Sequence, residues 1–175
     1  MSILCSDKIY LKILTEEDVS DSYVSWMNDY EIVKYTESRF FQHTTESIKQ
    51  FVKNSTNANN ILFGIFTNDE KIHIGNIKLG SINWIHRYAD VGIIIGNKNY
   101  WGKGIGTSAI RLVTDYAFNH LNLHKLIAGA YEYNLGSINA FKKNGYESVY
   151  VDKERYFFEG KYIDCIHMEK INDRG

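Results

Sequence analysis

Asn99-Tyr100-Trp101-Gly102-Lys103-Gly104-Ile105-Gly106-Thr107 is the stretch that decides the fold of this 175-residue chain. Its three alternating glycines lie between the apolar run Ile93-Ile94-Ile95 and an amphipathic segment that starts near Thr107. Glycine allows the backbone to turn tightly and to approach a ligand closely. Main-chain amides at the positive end of a helix bind phosphate oxygens. The stretch therefore predicts a phosphate-binding loop between a buried strand and a helix.

Two common phosphate-binding motifs do not fit this loop. A nucleotide-binding P-loop requires Ser or Thr directly after Gly-Lys, whereas Lys103 is followed by Gly104. A dinucleotide-binding fold places its glycines after the first strand, whereas this loop follows a predicted antiparallel hairpin past the middle of the chain. Because alternating glycines also occur in ordinary strand-to-helix turns, the surrounding sequence has to decide their role.

Outward from the loop, apolar periodicity predicts one α/β domain over residues 1–175. Helices are expected to begin at Thr15 and Thr44, because each threonine precedes acidic residues and an apolar stripe. Two further helices are expected over about 107–121 and 137–144. The predicted strands cover residues 9–14, 61–67, 72–79, 88–95, 126–131, 148–158 and 161–169. The element order is βααβββαβαββ, a mixed and mostly antiparallel sheet with helices on both faces.

Several ordered motifs resemble one known family. Residues 90–96, DVGIIIG, followed by 100–106, YWGKGIG, look like the acetyl-CoA-binding motif of the GNAT N-acetyltransferase superfamily. Further motifs resemble its ribosomal-protein alanine acetyltransferase branch; they lie at 116–118, 121–125, 134–146 and 159–164. The resemblance covers nearly the whole chain. It implies an enzyme with the GNAT fold that moves an acetyl group from acetyl-CoA to a primary amine by direct transfer.

The resemblance assigns acetyl-CoA to the loop and to the strand before it. Amides of residues 102–107 would bind the pyrophosphate, and main-chain groups of residues 93–95 would pair with the pantetheine arm. Asn134 would bond the pantetheine, and the 137–144 helix would flank the thiol. The predicted cofactor-binding residues are Ile93, Ile94, Ile95, Trp101, Gly102, Lys103, Gly104, Ile105, Gly106, Thr107, Asn134, Asn139 and Phe141.

Asp90 and Ser137 are the candidate catalytic residues. Acetyl transfer requires loss of a proton from the amine and stabilisation of an oxyanion. The resemblance places Asp90 where the family has its general base, acting through water; a solvated strand carboxylate is the alternative. The family's usual acid, a tyrosine that protonates the leaving thiolate, is replaced by Phe141. Ser137 matches the serine proposed as the proton donor in the alanine branch. A helix N-cap would also explain a serine at this position. A main-chain amide at Ile95 or Gly96 is expected to stabilise the oxyanion.

The acceptor site is less well defined by sequence. The opening of the chain resembles acetyltransferases of nucleotide-linked amino sugars, so that such a sugar is the expected acceptor. Arg39 could contact its diphosphate, although a surface or ion-paired arginine is the favoured interpretation. The alternatives are the N-terminus of a protein of the ribosomal type and a catalytically silent CoA-binding module. The predicted acceptor-binding residues are Trp26, Asn28, Tyr35, Arg39 and Tyr156.

Composition argues against several other classes. With 20 basic and 21 acidic residues, the formal net charge is −1, which does not favour a nucleic-acid binder. No apolar run reaches the length of a membrane span, and the N-terminus lacks a signal-peptide pattern, so we expect a cytoplasmic protein, monomeric or homodimeric. Cys5 and Cys165 have no metal-ligand spacing, and His120 and His124 have no third ligand nearby. We therefore expect neither a disulfide framework nor a metal site.

Overall fold

The computed structural model describes residues 4–173, and its centre is an eight-stranded sheet. The strands are β1 (Leu4–Cys5), β2 (Ile9–Ile13), β3 (Ile61–Thr67), β4 (His73–Asn83), β5 (Tyr88–Ile95), β6 (Lys125–Tyr131), β7 (Glu147–Phe158) and β8 (Lys161–Ile171). Their order across the sheet is β1-β2-β3-β4-β5-β6-β8-β7. All neighbouring strands are antiparallel except β5 and β6, which run parallel.

Helices cover both faces of this sheet, as the sequence predicts. The α-helices of the described residues are α1 (Asp21–Met27), α2 (Tyr30–Val33), α3 (Thr45–Ser55), α4 (Ile105–Asn119) and α5 (Leu135–Lys143). On β3, Phe63 belongs to the main core with residues of α4, whereas its neighbour Leu62 packs with residues of α1 and α3. Because successive strand side chains point to opposite faces, α4 and the pair α1 and α3 lie on opposite sides. The predicted mixed α/β class is confirmed.

Three helix starts differ from the sequence-based predictions. Thr15 begins only a 3₁₀ turn over Glu16–Asp18, which is closed by a capping box with Asp18. Helix α1 begins later, at Asp21, where the Ser20 side chain accepts a hydrogen bond from the Tyr23 amide. The structure thus divides the first predicted helix into the turn and α1, because two capping signals follow each other within six residues. The short α2, with Asp29 as its N-cap, was not predicted.

The other two differences concern the helices next to the glycine loop and after β6. Helix α4 begins at Ile105 with Gly104 as its N-cap, and α5 begins at Leu135 with Asn134 as its N-cap. The start predicted at Thr44 is correct, since its side chain accepts from the Ser47 amide. Over residues 4–173, no helix combines the length and the apolar character that crossing a membrane requires.

Candidate functional site

The parallel strands β5 and β6 separate part-way along their length. Their pairing ends where Asp90 lies opposite Ile127. Beyond this point β5 continues to Ile95 and β6 to Tyr131 with no pairing between them. A gap therefore opens in the middle of the sheet, and the main-chain groups along its sides can pair with an extended ligand.

The main-chain groups of Ile93 and Ile95 face this gap. The Gly96 amide donates to the Ile74 carbonyl at 2.9 Å. In an antiparallel ladder, the main-chain groups of every second residue bond to the same neighbouring strand. Residues 92, 94 and 96 therefore bond to β4, and the main-chain groups of residues 93 and 95 point away from it. Of the two predicted oxyanion donors, Gly96 is therefore wrong, since its amide is already used. The Ile95 amide faces the gap.

The glycine loop leads into an uncapped helix N-terminus. Gly102 and Gly104 have φ angles of +72° and +79°, in the left-handed region that favours glycine. Gly104 is the N-cap of α4 and has no side chain to accept from the first turn. The Ser108 amide donates to the Gly104 carbonyl at 3.0 Å, so the amides of residues 105–107 have no acceptor within the helix. These amides and the positive end of α4 form an anion-binding site.

Trp101 holds this loop against the end of β5. Its indole Nε1 donates to the Ile95 carbonyl at 2.8 Å, and its side chain is 44% exposed. Lys103 is exposed, and its ammonium lies 5.5 Å from the centre of the Tyr100 ring. The Lys8 ammonium donates to the Lys103 carbonyl at 3.4 Å. The two lysines add positive charge beside the free amides, which suits a phosphate group.

Where the gap begins, the sheet face on the side of α1 and α3 carries two glycines in place of larger side chains. Gly92 on β5 and Gly129 on β6 are both exposed, and they lie on the same face as Asp90. We call these two residues the glycine floor. Burial raises the pKa of Asp90, while hydrogen bonding to the Ser81 side chain partly opposes this shift. Asp90 thus presents a partly desolvated carboxyl at the closed end of the gap.

Helix α5 borders the gap from the β6 side. Asn134 follows β6, and its Oδ1 accepts from the Ser137 amide at 3.3 Å. The N-cap interpretation of Ser137 is therefore wrong, because Asn134 takes that place; the Ser137 hydroxyl makes no hydrogen bond among the described residues. Asn139 is exposed. Phe141 lies in the core at 2% exposure, with its ring 5.0 Å from that of Tyr146, so the structure does not bring it to the gap.

Arg39 makes three hydrogen bonds to other groups of the protein. Its Nη1 donates to the Thr36 carbonyl at 2.7 Å and to the Tyr131 hydroxyl at 2.8 Å. Its Nη2 donates to the Phe157 carbonyl at 2.6 Å. Arg39 therefore braces the segment before α3 against β6 and β7, and its terminal nitrogens already have acceptors.

Trp26 and Asn28 fix α1 to the rest of the molecule. A Cβ built at Gly96 would lie 2.1 Å from the Trp26 ring, which shows that the indole rests directly on the backbone at the end of β5. The Asn28 side-chain amide donates to the Val24 and His43 carbonyls at 3.0 and 2.8 Å. Trp26 thus holds α1 against the sheet, and Asn28 ties the end of α1 to the segment before α3.

Tyr35 and Tyr156 belong to an aromatic cluster with Tyr131 and Phe158. Tyr156 stacks on Tyr131 with ring centres 3.9 Å apart, and Tyr35 stacks on Phe158 at 5.5 Å. Burial and the neighbouring Cys165 raise the pKa of Tyr156, so its hydroxyl stays neutral. The aromatic cluster lies on the same face as the glycine floor, because Tyr131 and Gly129 are two residues apart on β6.

The sequence analysis missed the glycine floor. Gly92 and Gly129 interrupt strands of otherwise large residues, and an isolated glycine within a strand signals a close approach of backbone or ligand. Among residues 4–173, no group of three or more His, Cys, Asp or Glu side chains is arranged to hold a metal ion.

Comparison with known proteins identifies the family. Residues 8–147 match the family model described as an acetyltransferase (GNAT) domain. The chain belongs to the GNAT acetyltransferase family. The family and the fold that the sequence motifs predict are thereby confirmed.

Named relatives match part of the chain. The probable N-acetyltransferase YjcK of Bacillus subtilis is 37% identical over 103 residues, 58% of this chain and 56% of that protein. The spermidine N(1)-acetyltransferase of Escherichia coli is 36% identical over 94 residues, 54% of this chain and 50% of that protein. The chain thus spans about half the length of these relatives.

A solved structure matches more completely. The crystal structure of spermidine N-acetyltransferase from Vibrio cholerae in complex with CoA and spermine is 25% identical, covers 95% of this chain and 96% of that one, and superposes with a TM-score of 0.84.

Proposed function

We propose that this protein transfers the acetyl group of acetyl-CoA to a primary amine, by direct attack of the amine within a ternary complex. One observation carries the proposal: the gap between β5 and β6 connects the free amides of residues 105–107 to a carboxyl at its closed end, Asp90. GNAT acetyltransferases use acetyl-CoA, and the Vibrio cholerae relative was solved with CoA. An anion site joined to a strand-like groove suits a ligand with a pyrophosphate and an extended arm.

The chain's own groups account for each part of the cofactor. The amides of residues 105–107 bind the pyrophosphate, and the outward main-chain groups of Ile93 and Ile95 pair with the amides of the pantetheine. The thioester then points towards the closed end of the gap, beside the glycine floor. Because the floor has no side chains, an amine can approach the thioester carbon from this face. A main-chain amide that faces the gap near its closed end stabilises the oxyanion, because the Ile95 amide lies at the pyrophosphate end and pairs with the pantetheine arm.

Asp90 acts as the general base in this proposal. The acceptor arrives as an ammonium and loses a proton to the Asp90 carboxylate through a water molecule. Partial burial raises the pKa of Asp90, which makes it a stronger base than an exposed aspartate. The Ser137 hydroxyl has no hydrogen-bond partner among the described residues and is the donor we assign to the departing thiolate.

For the acceptor, we propose a small cationic amine. Three of the five N–H donors of Arg39 already have protein acceptors, which leaves fewer for the expected contact with a sugar-nucleotide diphosphate. The groove instead carries the Asp90 carboxyl and the aromatic cluster, which suit an ammonium and a carbon chain. The spermidine acetyltransferases among the relatives support this choice. The nucleotide-linked amino sugar and the protein N-terminus stay predictions from the sequence, to be compared with it directly.

The test measures CoA release with three acceptor classes: a polyamine, an amino-sugar nucleotide, and peptides with a free N-terminus. We expect the highest kcat/KM with the polyamine; preference for either other class would replace the proposed acceptor. Asp90→Asn should lower kcat by about 10²–10⁴-fold and leave the Kd for acetyl-CoA, measured by calorimetry, unchanged. Asp115→Asn, an exposed change on α4, is the control and should retain wild-type turnover. Wild-type turnover by Asp90→Asn would remove that residue from the mechanism.

A further inference from the structure

His73 lies where α1 meets the sheet. It is the first residue of β4, and its imidazole stacks on the Phe66 ring of β3 with ring centres 4.8 Å apart. Two side chains of α1, Trp26 and Tyr23, meet the imidazole edge to face, with ring centres 5.1 and 5.4 Å away. These three aromatic residues belong to the core cluster between the sheet and the helices α1 and α3. The imidazole is therefore enclosed by rings from both sides of this contact.

The two ring nitrogens of His73 have different surroundings. Nε2 lies 3.0 Å from the Gly75 carbonyl oxygen and 2.8 Å from Asn76 Oδ1. Because a main-chain carbonyl oxygen only accepts hydrogen bonds, Nε2 carries a proton and donates it. Nδ1 is buried and has no hydrogen-bond partner among the described residues. A second proton can therefore be added only at Nδ1, where the surrounding protein offers no acceptor.

The groups around His73 do not neutralise a charge on the ring. Lys12 of β2 and Asp18 of the 3₁₀ turn act on it in opposite directions, and they pair with each other at 2.5 Å. On α1 the titratable group is Tyr23, whose pKa is raised by burial to about 12. On β4 the polar neighbour Asn76 is uncharged, and β3 contributes only an aromatic ring. Burial lowers the pKa of His73, and the hydrogen bonds of Nε2 only partly oppose this shift.

Trp26 connects His73 to the acetyl-CoA groove. Its indole contacts the imidazole and also rests on the backbone of Gly96, at the end of β5. Gly96 directly follows Ile95, whose main-chain groups face the gap. A change in the packing of α1 therefore reaches the strand that borders the gap.

We propose that His73 is a pH-sensitive switch that controls the packing of α1 on the sheet. With Nδ1 unprotonated, the ring packs among its aromatic neighbours and α1 covers the end of β5. A proton on Nδ1 would place a charge and an unpaired donor in this cluster, which favours release of α1 together with Trp26. The switch does not depend on the proposed function; only its effect on acetyl-CoA binding does.

The sign of the pH effect follows from the surroundings of Nδ1. The unfolded chain binds the second proton at the ordinary pKa of histidine, 6.5, and the folded chain binds it less readily. Stability is therefore lost as the pH falls below about 6.5, because protons then favour the state in which the imidazole is free.

Thermal unfolding at two pH values tests the switch. His73→Gln removes the titrating ring and keeps an N–H donor near the position of Nε2. Between about pH 7.5 and 5.5, the unfolding equilibrium constant of the wild type should rise up to about tenfold more than that of His73→Gln. This corresponds to an additional fall in Tm of about 3–6 °C. His86→Gln is the matched control, since His86 is exposed in the turn between β4 and β5, and its pH dependence should equal that of the wild type.

Hydrogen exchange and calorimetry test the effect on α1 and on the groove. At about pH 5.5, amides of α1 in the wild type should exchange faster relative to those of β3 than at about pH 7.5, after correction for the intrinsic rates. The Kd for acetyl-CoA should rise over the same interval in the wild type and less in His73→Gln. Equal acceleration in α1 and β3 would overturn the local release of α1.

Equal pH dependence of Tm in the wild type and His73→Gln would overturn the switch. If His73→Gln does not fold, NMR titration of the wild-type imidazole replaces it: a pKa below 6.5 with the neutral ring protonated on Nε2 supports the switch, and an ordinary or raised pKa overturns it. A protein that shows the pH effect on Tm but binds no acetyl-CoA at either pH would refute the proposed function and not the switch.

Discussion

Replacing Gly96 by alanine tests the contact between α1 and the end of β5. The new Cβ would lie 2.1 Å from Cδ2 and Cε3 of Trp26 and 2.6 Å from its Cγ. Carbon atoms pack at about 3.5–4.0 Å, so the indole would have to move by about 1.5 Å. The ring is only 8% exposed and is enclosed by Tyr23 and His73, with ring centres 5.9 and 5.1 Å away. It therefore cannot move without displacing its neighbours.

Overpacking of this kind costs about 1–3 kcal/mol. For a chain of this length, each kcal/mol lowers the Tm by about 2–4 °C, so Gly96→Ala should melt about 2–12 °C below the wild type in scanning calorimetry. Gly92→Ala is the matched control on the same strand, because a Cβ there would meet no atom within 4 Å. Its Tm should lie within about 2 °C of the wild type, as for other open surface positions.

A double-mutant cycle identifies the cause. In a Trp26→Leu background the smaller side chain leaves room for the added methyl group, so the cost of Gly96→Ala should fall by at least half. A wild-type Tm for Gly96→Ala would refute this account. So would an equal cost in both backgrounds, because the clash would then not involve the indole.

Three further predictions concern the groove. Gly104→Val should weaken acetyl-CoA binding in calorimetry by at least tenfold. At φ +79° a side chain costs about 1–2 kcal/mol, and the branched valine would also crowd the free amides. Unchanged affinity would contradict the pyrophosphate site. Asn134→Ala should cost about 1 kcal/mol of stability, since Asn134 caps α5. Ser137→Ala should leave the Tm unchanged and lower only turnover. A loss of Tm in Ser137→Ala alone would reverse these roles. Incubation with acetyl-CoA alone should leave the intact mass unshifted, because direct transfer passes through no acetyl-enzyme; a stoichiometric acetyl adduct on Cys5 or Cys165, the two free cysteines, would refute direct transfer.

Local patterns in the sequence predicted most of the secondary structure. The two hairpins, the strand before the glycine loop and the helix that begins after Thr44 lie where periodicity and capping residues place them, but that strand is buried on only one face over Asp90 and Gly92. Two of the three wrong helix starts occur where several capping residues follow one another. Thr15 competes with Ser20, and Ser137 with Asn134; each can accept an amide hydrogen bond, and the backbone direction after the preceding strand decides which one does.

The candidate site, too, could be predicted from the sequence only in part. The phosphate-binding loop could be predicted because its glycines and the following helix are contiguous in sequence. The roles of Gly96 and Arg39 could not be predicted, because each depends on a partner far along the chain. The Gly96 amide donates to the carbonyl of Ile74 on β4, and Arg39 donates to Tyr131 and Phe157. The direction of a strand amide follows from the register with its neighbour, and a single sequence does not specify that register.

The sequence by itself determined the family motif, the order of strands and helices apart from the short β1 and α2, and Asp90 as the candidate base, because these depend on residues close together along the chain. Only the tertiary structure decided that β8, and not β7, lies beside β6, and that β5 and β6 separate after Asp90. This strand order brings His167 to the glycine floor, next to a strand that ended 30 residues before β8 begins. Such neighbours result from pairing between segments that are distant in sequence. The free energy of that pairing depends on packing across the whole sheet and not on local periodicity.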